Sequence, residues 1–97
     1  MLTSRANGNA CETFLLMMRQ GEHVALVGDR TAGSSGHAEP HELIPGLHVL
    51  LPRLQLQAPD GTCIEGQGIA VDLDATWSAG SGRDRVLEQA LDALRAR

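Results

Sequence analysis

Apolar residues come in short bursts along this chain, and their spacing changes from helical to extended and back to helical. Thr3 to Gly8 is polar and turn-like, and Asn7-Gly8 is a strong turn dipeptide. Asn9 stands where a helix should begin, with Glu12 three residues later, so Asn9-Ala10-Cys11-Glu12 reads as a variant capping box. Phe14, Leu15, Met17 and Met18 give that helix a broad apolar side, and Gly21 stops it. Val24-Ala25-Leu26-Val27 is a continuous apolar run, which predicts a strand buried on both faces of a parallel or mixed sheet. Gly28 to Gly36 reads as a loop of small residues and His37 to Leu43 as a candidate strand, followed by a turn at Pro45-Gly46. Leu54-Gln55-Leu56-Gln57 alternates as a half-exposed strand does, and Pro52 marks an edge or a bulge. With a turn at Pro59-Asp60-Gly61 and a short return strand at Thr62 to Glu65, the stretch 47–65 is predicted to be a hairpin. Ser78 to Gly82 is a linker. From Asp84 to Arg97 the pattern is an amphipathic helix with Val86, Leu87, Ala90, Leu91 and Leu94 on one side.

This order predicts an α/β layered domain with one N-terminal and one C-terminal helix around a mixed sheet. Residues 1–77 form its core, and 78–97 the linker and closing helix of the same domain. The apolar run at 24–27 needs a neighbour on each side, yet no strand is evident before the first helix. The expectation is that an upstream segment or another chain supplies one. Composition narrows the partners. A formal charge of −4 and only two aromatics, Phe14 and Trp77, leave neither a basic face for phosphates nor a stacking platform, so nucleic acid is not an expected partner. No apolar run reaches membrane-spanning length. All eight basic residues are Arg and none is Lys. Cys11 and Cys63 read as small buried hydrophobes, and Trp77 as a lid on the core.

Taken alone, Asn9 is a helix cap and Glu65 a strand-end carboxylate; Ser34 and Ser35 are polar loop residues. His37, Glu39 and His41 alternate and could share one face of a strand with a divalent metal, although Pro40 and plain exposed alternation explain the same pattern. No cofactor is expected.

Several segments in order carry a stronger signal. Asn9-Ala10-Cys11-Glu12, then Val27-Gly28-Asp29-Arg30-Thr31-Ala32-Gly33, then Ala58-Pro59-Asp60-Gly61, and finally Gly68-Ile69-Ala70-Val71-Asp72 together resemble the tail-specific, or C-terminal-processing, serine proteases, including the tricorn-type core. That family has S-A-x-E at a helix start, V-G-E-x-T-x-G after a strand, a pair of strands around P-x-G, and G-I-x-P-D. The resemblance covers about residues 3–74 and implies the C-terminal half of a crotonase-like catalytic core acting on peptides or protein C-termini. It also implies that Asn9 stands at the nucleophile position, that the Ala10 N–H is the oxyanion donor, and that Glu65 is the counterpart of the Glu in the tricorn-type Ser–His–Ser–Glu set.

Asparagine has no hydroxyl with which to form an acyl-enzyme ester. One branch of the family activates its serine with a Lys, whose counterpart here is Ser34, and the chain has no Lys anywhere. The expectation is a serine-type peptidase domain that is incomplete or inactive as this chain, taking a peptide as an added strand and partnered by an upstream half of the core or by a second copy of itself. The alternative is a non-catalytic peptide-binding or assembly module that keeps the protease fold. A metal-dependent hydrolase at His37 and His41 is a distant third.

Overall fold

A computed structural model describes all residues, 1–97, and orders seven elements: β1 (Leu2–Thr3), α1 (Ala10–Met18), β2 (Val27–Gly28), β3 (Ala38–Ile44), β4 (Leu47–Pro52), β5 (Leu73–Asp74) and α2 (Arg85–Arg95). Parallel and antiparallel pairing are both present, but on separate sheets. β1, β2 and β5 form a parallel sheet with β2 in the middle, whereas β3 and β4 form a two-stranded antiparallel hairpin.

The apolar run at 24–27 is buried where it matters, at Leu26 and Val27. Its missing neighbour is in the chain itself. Leu2–Thr3, read from the sequence as the start of a polar turn, pairs with Val27–Gly28 on one side while Leu73–Asp74 pairs on the other. Two residues are too few to show a period, so the polarity of Thr3 hid the strand. In the fold Thr3 is buried, and its hydroxyl donates to the Asp29 carbonyl at 2.9 Å.

The predicted 47–65 hairpin is displaced. The long antiparallel pairing is 38–44 with 47–52, turning at Pro45-Gly46, where Gly46 takes the positive φ of a type II turn. Only a single bridge, Gln57 to Cys63, remains of the later pairing. The Asp60 carboxylate accepts the Thr62 N–H at 2.9 Å, and this bond holds its pKa below the usual carboxylate value.

The core is small. Leu15, Leu26, Ile64 and Ile69 form its centre, with Cys11, Leu16, Val24, Leu56, Ala58 and Val71 packed around them. Of the apolar side predicted for the first helix only Leu15 is buried; Phe14, Met17 and Met18 lie exposed because a single layer covers α1. α2 is capped by Asp84, whose side chain accepts the Leu87 N–H at 3.0 Å. It rests on β1 and β2 and buries Val86, leaving Leu87, Leu91 and Leu94 exposed. Trp77 is 58% exposed and is no lid. No helix is long and apolar enough to cross a membrane.

Candidate functional site

Three of the four sequence segments cross at the centre of the fold, and Glu12 holds the crossing. Its side chain is fully buried and does not reach back to the helix start as a capping-box residue would. It crosses instead to the loop after β2. There its carboxylate accepts from the Thr31 hydroxyl at 2.5 Å, the Gly33 N–H at 2.7 Å and the Ser34 N–H at 3.0 Å. Thr31 passes the link on: its hydroxyl oxygen accepts the Ile69 N–H at 2.7 Å. Gly68 stands beside this bond with a positive φ, and a Cβ there would fall 2.1 Å from the Thr31 carbonyl oxygen. Asp72 ties the same layer at its far end, accepting from the Leu26 N–H at 2.8 Å and from Arg19 at 2.9 Å.

Glu12 had an apparent role in the sequence as a capping residue, and Asp72 had none beyond its motif. Both are acceptors for backbone amides of distant segments, a role that helix or strand periodicity does not reveal.

The loop that Glu12 clamps in turn fixes Asn9. The Asn9 N–H donates to the Ser34 carbonyl at 2.7 Å, and the Ala32 N–H to the Asn7 carbonyl at 2.8 Å. Asn9 has φ 51° and ψ −127°, and its side chain makes no capping hydrogen bond. The predicted side-chain cap is therefore absent. The backbone forms a tight turn instead, closed by the Cys11 N–H on the Gly8 carbonyl at 3.2 Å. These angles are those of the first central residue of a type II′ turn, a place that favours glycine. A residue with a side chain held there is strained by about 1–3 kcal/mol. Asn9→Gly is accordingly expected to raise the stability of the domain by about 1 kcal/mol in urea unfolding; a loss of stability would show that the Asn9 side chain contributes contacts that outweigh the strain.

The strained turn presents an exposed side chain at position 9 on a sharp entry to a helix. Ala10, the first residue of α1, follows it, and the Ala10 N–H donates to no acceptor within the chain. Strand-to-loop-to-helix turns that carry nucleophiles in hydrolases have this form: the side chain stands out, and the next N–H is free to meet a developing oxyanion.

Glu65 lies on the other side of the Ser34-Ser35 dipeptide. Its carboxylate accepts from the Ser35 N–H at 2.7 Å and from the Ser35 hydroxyl at 3.2 Å, and the side chain remains open to solvent. Asn9 and Glu65 are thus linked through a single dipeptide, with Ser34 bonded to Asn9 and Ser35 to Glu65, and Ala10 follows Asn9 in the chain. The histidines are not part of this arrangement. His37 precedes β3 with a positive φ, Glu39 is paired to Arg53 at 2.6 Å, and no three His, Cys, Asp or Glu side chains converge on a point where a metal ion would sit.

Comparison with known proteins agrees with the ordered motifs. No curated protein sequence matches the chain. Among solved structures, the crystal structure of the tricorn protease is similar, with a TM-score of 0.75 and 24% identity over 96% of this chain. The chain spans only 10% of the length of that protein. At this identity the likeness concerns the fold: a mixed α/β arrangement with parallel and antiparallel sheets and two helices. A family profile matches residues 1–75, the stretch that contains the Glu12 clamp, the Asn9 turn and the Asp72 tie. On that match the chain belongs to peptidase family S41.

Proposed function

We propose that this chain is a serine-peptidase-type domain of the tail-specific branch, corresponding to the C-terminal half of a crotonase-like catalytic core, and that it binds peptide without cleaving it. One observation carries the reading: the exposed, strained turn at Asn9, followed by the unpaired Ala10 N–H at the start of α1. A strained backbone at a solvent-facing position is costly and serves no packing purpose here, which fits a position built to present a side chain to a substrate.

The chemistry follows from the groups present. A peptide carbonyl brought to this turn would accept the Ala10 N–H, with the free amides and positive end of the α1 dipole favouring charge on its oxygen. The Asn9 amide can donate a second hydrogen bond to the same carbonyl, but it offers no hydroxyl to attack it. Glu65, anchored by Ser35, supplies a carboxylate beside the turn. The chain holds no Lys to serve as general base. Binding survives in this arrangement and acyl transfer does not.

The test combines a fluorophosphonate probe with NMR titration by a short peptide bearing a free C-terminus. No labelling of the chain and peptide-dependent shifts at Asn9, Ala10 and Glu65 are expected. Covalent labelling would overturn the claim of catalytic silence, and unchanged amides at saturating peptide would overturn the binding claim. A second reading, a non-catalytic assembly module that keeps the peptidase fold, is favoured by the apolar surface of the β3–β4 hairpin.

A further inference from the structure

The β3–β4 hairpin stands apart from the rest of the molecule. Its strands pair with each other, and no other helix or strand makes a substantial contact with them. An isolated two-stranded hairpin is marginal in water, and a third strand or a packed face is what usually stabilises one. This one also exposes Leu43, Ile44, Leu47, Leu50 and Leu51, with Leu50 at 67%. The whole chain shows the same deficit. Its accessible surface is 6805 Å². A compact monomer of its 10.3 kDa mass is expected to expose about 5,350 Å². The excess of roughly 1,450 Å² is spread over the whole chain, both helices included, and exceeds the ~800 Å² that each partner buries in a standard stable interface.

The two free edges of the hairpin differ. β3 carries Glu39, Pro40 and Glu42, the carboxylates and proline that commonly protect an edge from pairing. Proline also removes one of its N–H donors. β4 reads Leu-His-Val-Leu-Leu-Pro: its proline, Pro52, stands at the strand end rather than inside it as Pro40 does in β3, and the strand has no acidic residue and no Arg. Two antiparallel copies of β4 bring no Asp, Glu, Lys or Arg side chains of that strand against one another in any register. Two copies of β3 would set carboxylates against each other.

From this asymmetry we propose that the β4 edge is a self-association edge. Two copies of the chain pair β4 with β4 about a two-fold axis, giving a four-stranded sheet in the order β3-β4-β4-β3. The two-fold makes the contact self-complementary and closes it at the dimer. Leu47, Val49 and Leu51 lie on one face of β4, so the two copies join their stripes into a continuous apolar face at the centre of the new sheet.

Sedimentation equilibrium of the 97-residue chain across a concentration series tests the pairing. A monomer–dimer equilibrium is expected, with hydrogen-exchange protection of β4 amides that rises with concentration. Val49→Lys, in the middle of that stripe, should raise the dimer dissociation constant by about 100-fold, since each dimer carries the change twice. Leu91→Lys on the exposed face of α2 should leave the constant within about threefold, as expected of a surface position outside the interface. Circular dichroism of both variants reports whether each remains folded, and the exchange pattern of the unmodified chain tests the edge even if one does not. A monomer at all concentrations overturns the proposal, as does a dimer sensitive to Leu91→Lys but not to Val49→Lys. Capture of an added extended peptide along β4 by a chain that stays monomeric overturns it too, and assigns the edge to a strand from another polypeptide.

Discussion

Glu12→Ala is expected to destabilise the domain by about 3 kcal/mol or more, lowering its melting temperature by about 15 °C. The substitution removes the acceptor shared by the Thr31 hydroxyl and the Gly33 and Ser34 amides, and it leaves those donors without a partner inside the protein. A buried donor stripped of its acceptor costs about 1–3 kcal/mol, more than the net gain from forming the bond. A cavity beside Leu15 adds to the loss. Glu12→Gln keeps the shape and one acceptor oxygen but turns an amide NH₂ towards other donors, so a smaller cost of about 2 kcal/mol is expected. Thermal and urea unfolding of both variants provides the measurement. An alanine variant within about 0.5 kcal/mol of the parent, the range of an ordinary surface change, would remove Glu12 from the centre of the fold. The same clamp supports the proposed peptide site, because the loop it holds carries the Ser34 carbonyl that accepts the Asn9 N–H. Peptide-dependent shifts at Asn9 and Ala10 should therefore weaken in Glu12→Gln even at temperatures where that variant is fully folded.

Gly28→Ala is expected to cost about 4 kcal/mol or more and to detach β1 from the parallel sheet. Gly28 lies on the middle strand with φ +138°, and a Cβ there would fall 2.0 Å from the Thr3 carbonyl oxygen. Both strands around the clash are backbone, so no side chain can swing away. Relief requires β1 to move, which would break the bonds from the Val27 N–H to the Met1 carbonyl and from the Asp29 N–H to the Thr3 carbonyl. Gly46→Ala is the control. It also has a positive φ, but nothing lies within 4 Å of its Cβ position, so only the conformational cost of about 1 kcal/mol is expected. Equal losses in the two variants, or retained exchange protection at Val27 and Asp29 in Gly28→Ala, would refute the role assigned to close strand approach.

Features governed by local chemistry were legible before the fold was known. The helix at 10–18 follows from its apolar spacing and its stop at Gly21, and α2 from its amphipathic stripe and Asp84. The turn at Pro45-Gly46 follows from a proline and glycine that set φ by themselves. The apolar run at 24–27 announced a central strand, although the paired strand begins only at its last residue, Val27–Gly28. The family was legible as well, since glycines and a threonine in a set order are backbone requirements written into residue type.

The errors share a cause. Leu2–Thr3 is too short to carry a period, and its pairing depends on residues more than twenty positions away. Asn9 and Glu12 match a capping box at the level of residue type, but the box fails because three donors on a distant loop compete for the Glu12 carboxylate and win. Trp77, Phe14, Met17 and Met18 are apolar, yet the chain has too little layered structure to cover them.

Sequence by itself determined the residue types at the proposed site: an amide side chain at position 9, no Lys in the chain, and glycines at the close approaches. Only the tertiary structure decided that the Asn9 backbone is strained, that the Ala10 N–H is free and that Glu65 is linked to the Asn9 backbone through Ser34-Ser35. Chemical capacity belongs to single side chains and can be read one residue at a time. Strain and unpaired donors depend on which distant groups the fold brings within about 3 Å of one another.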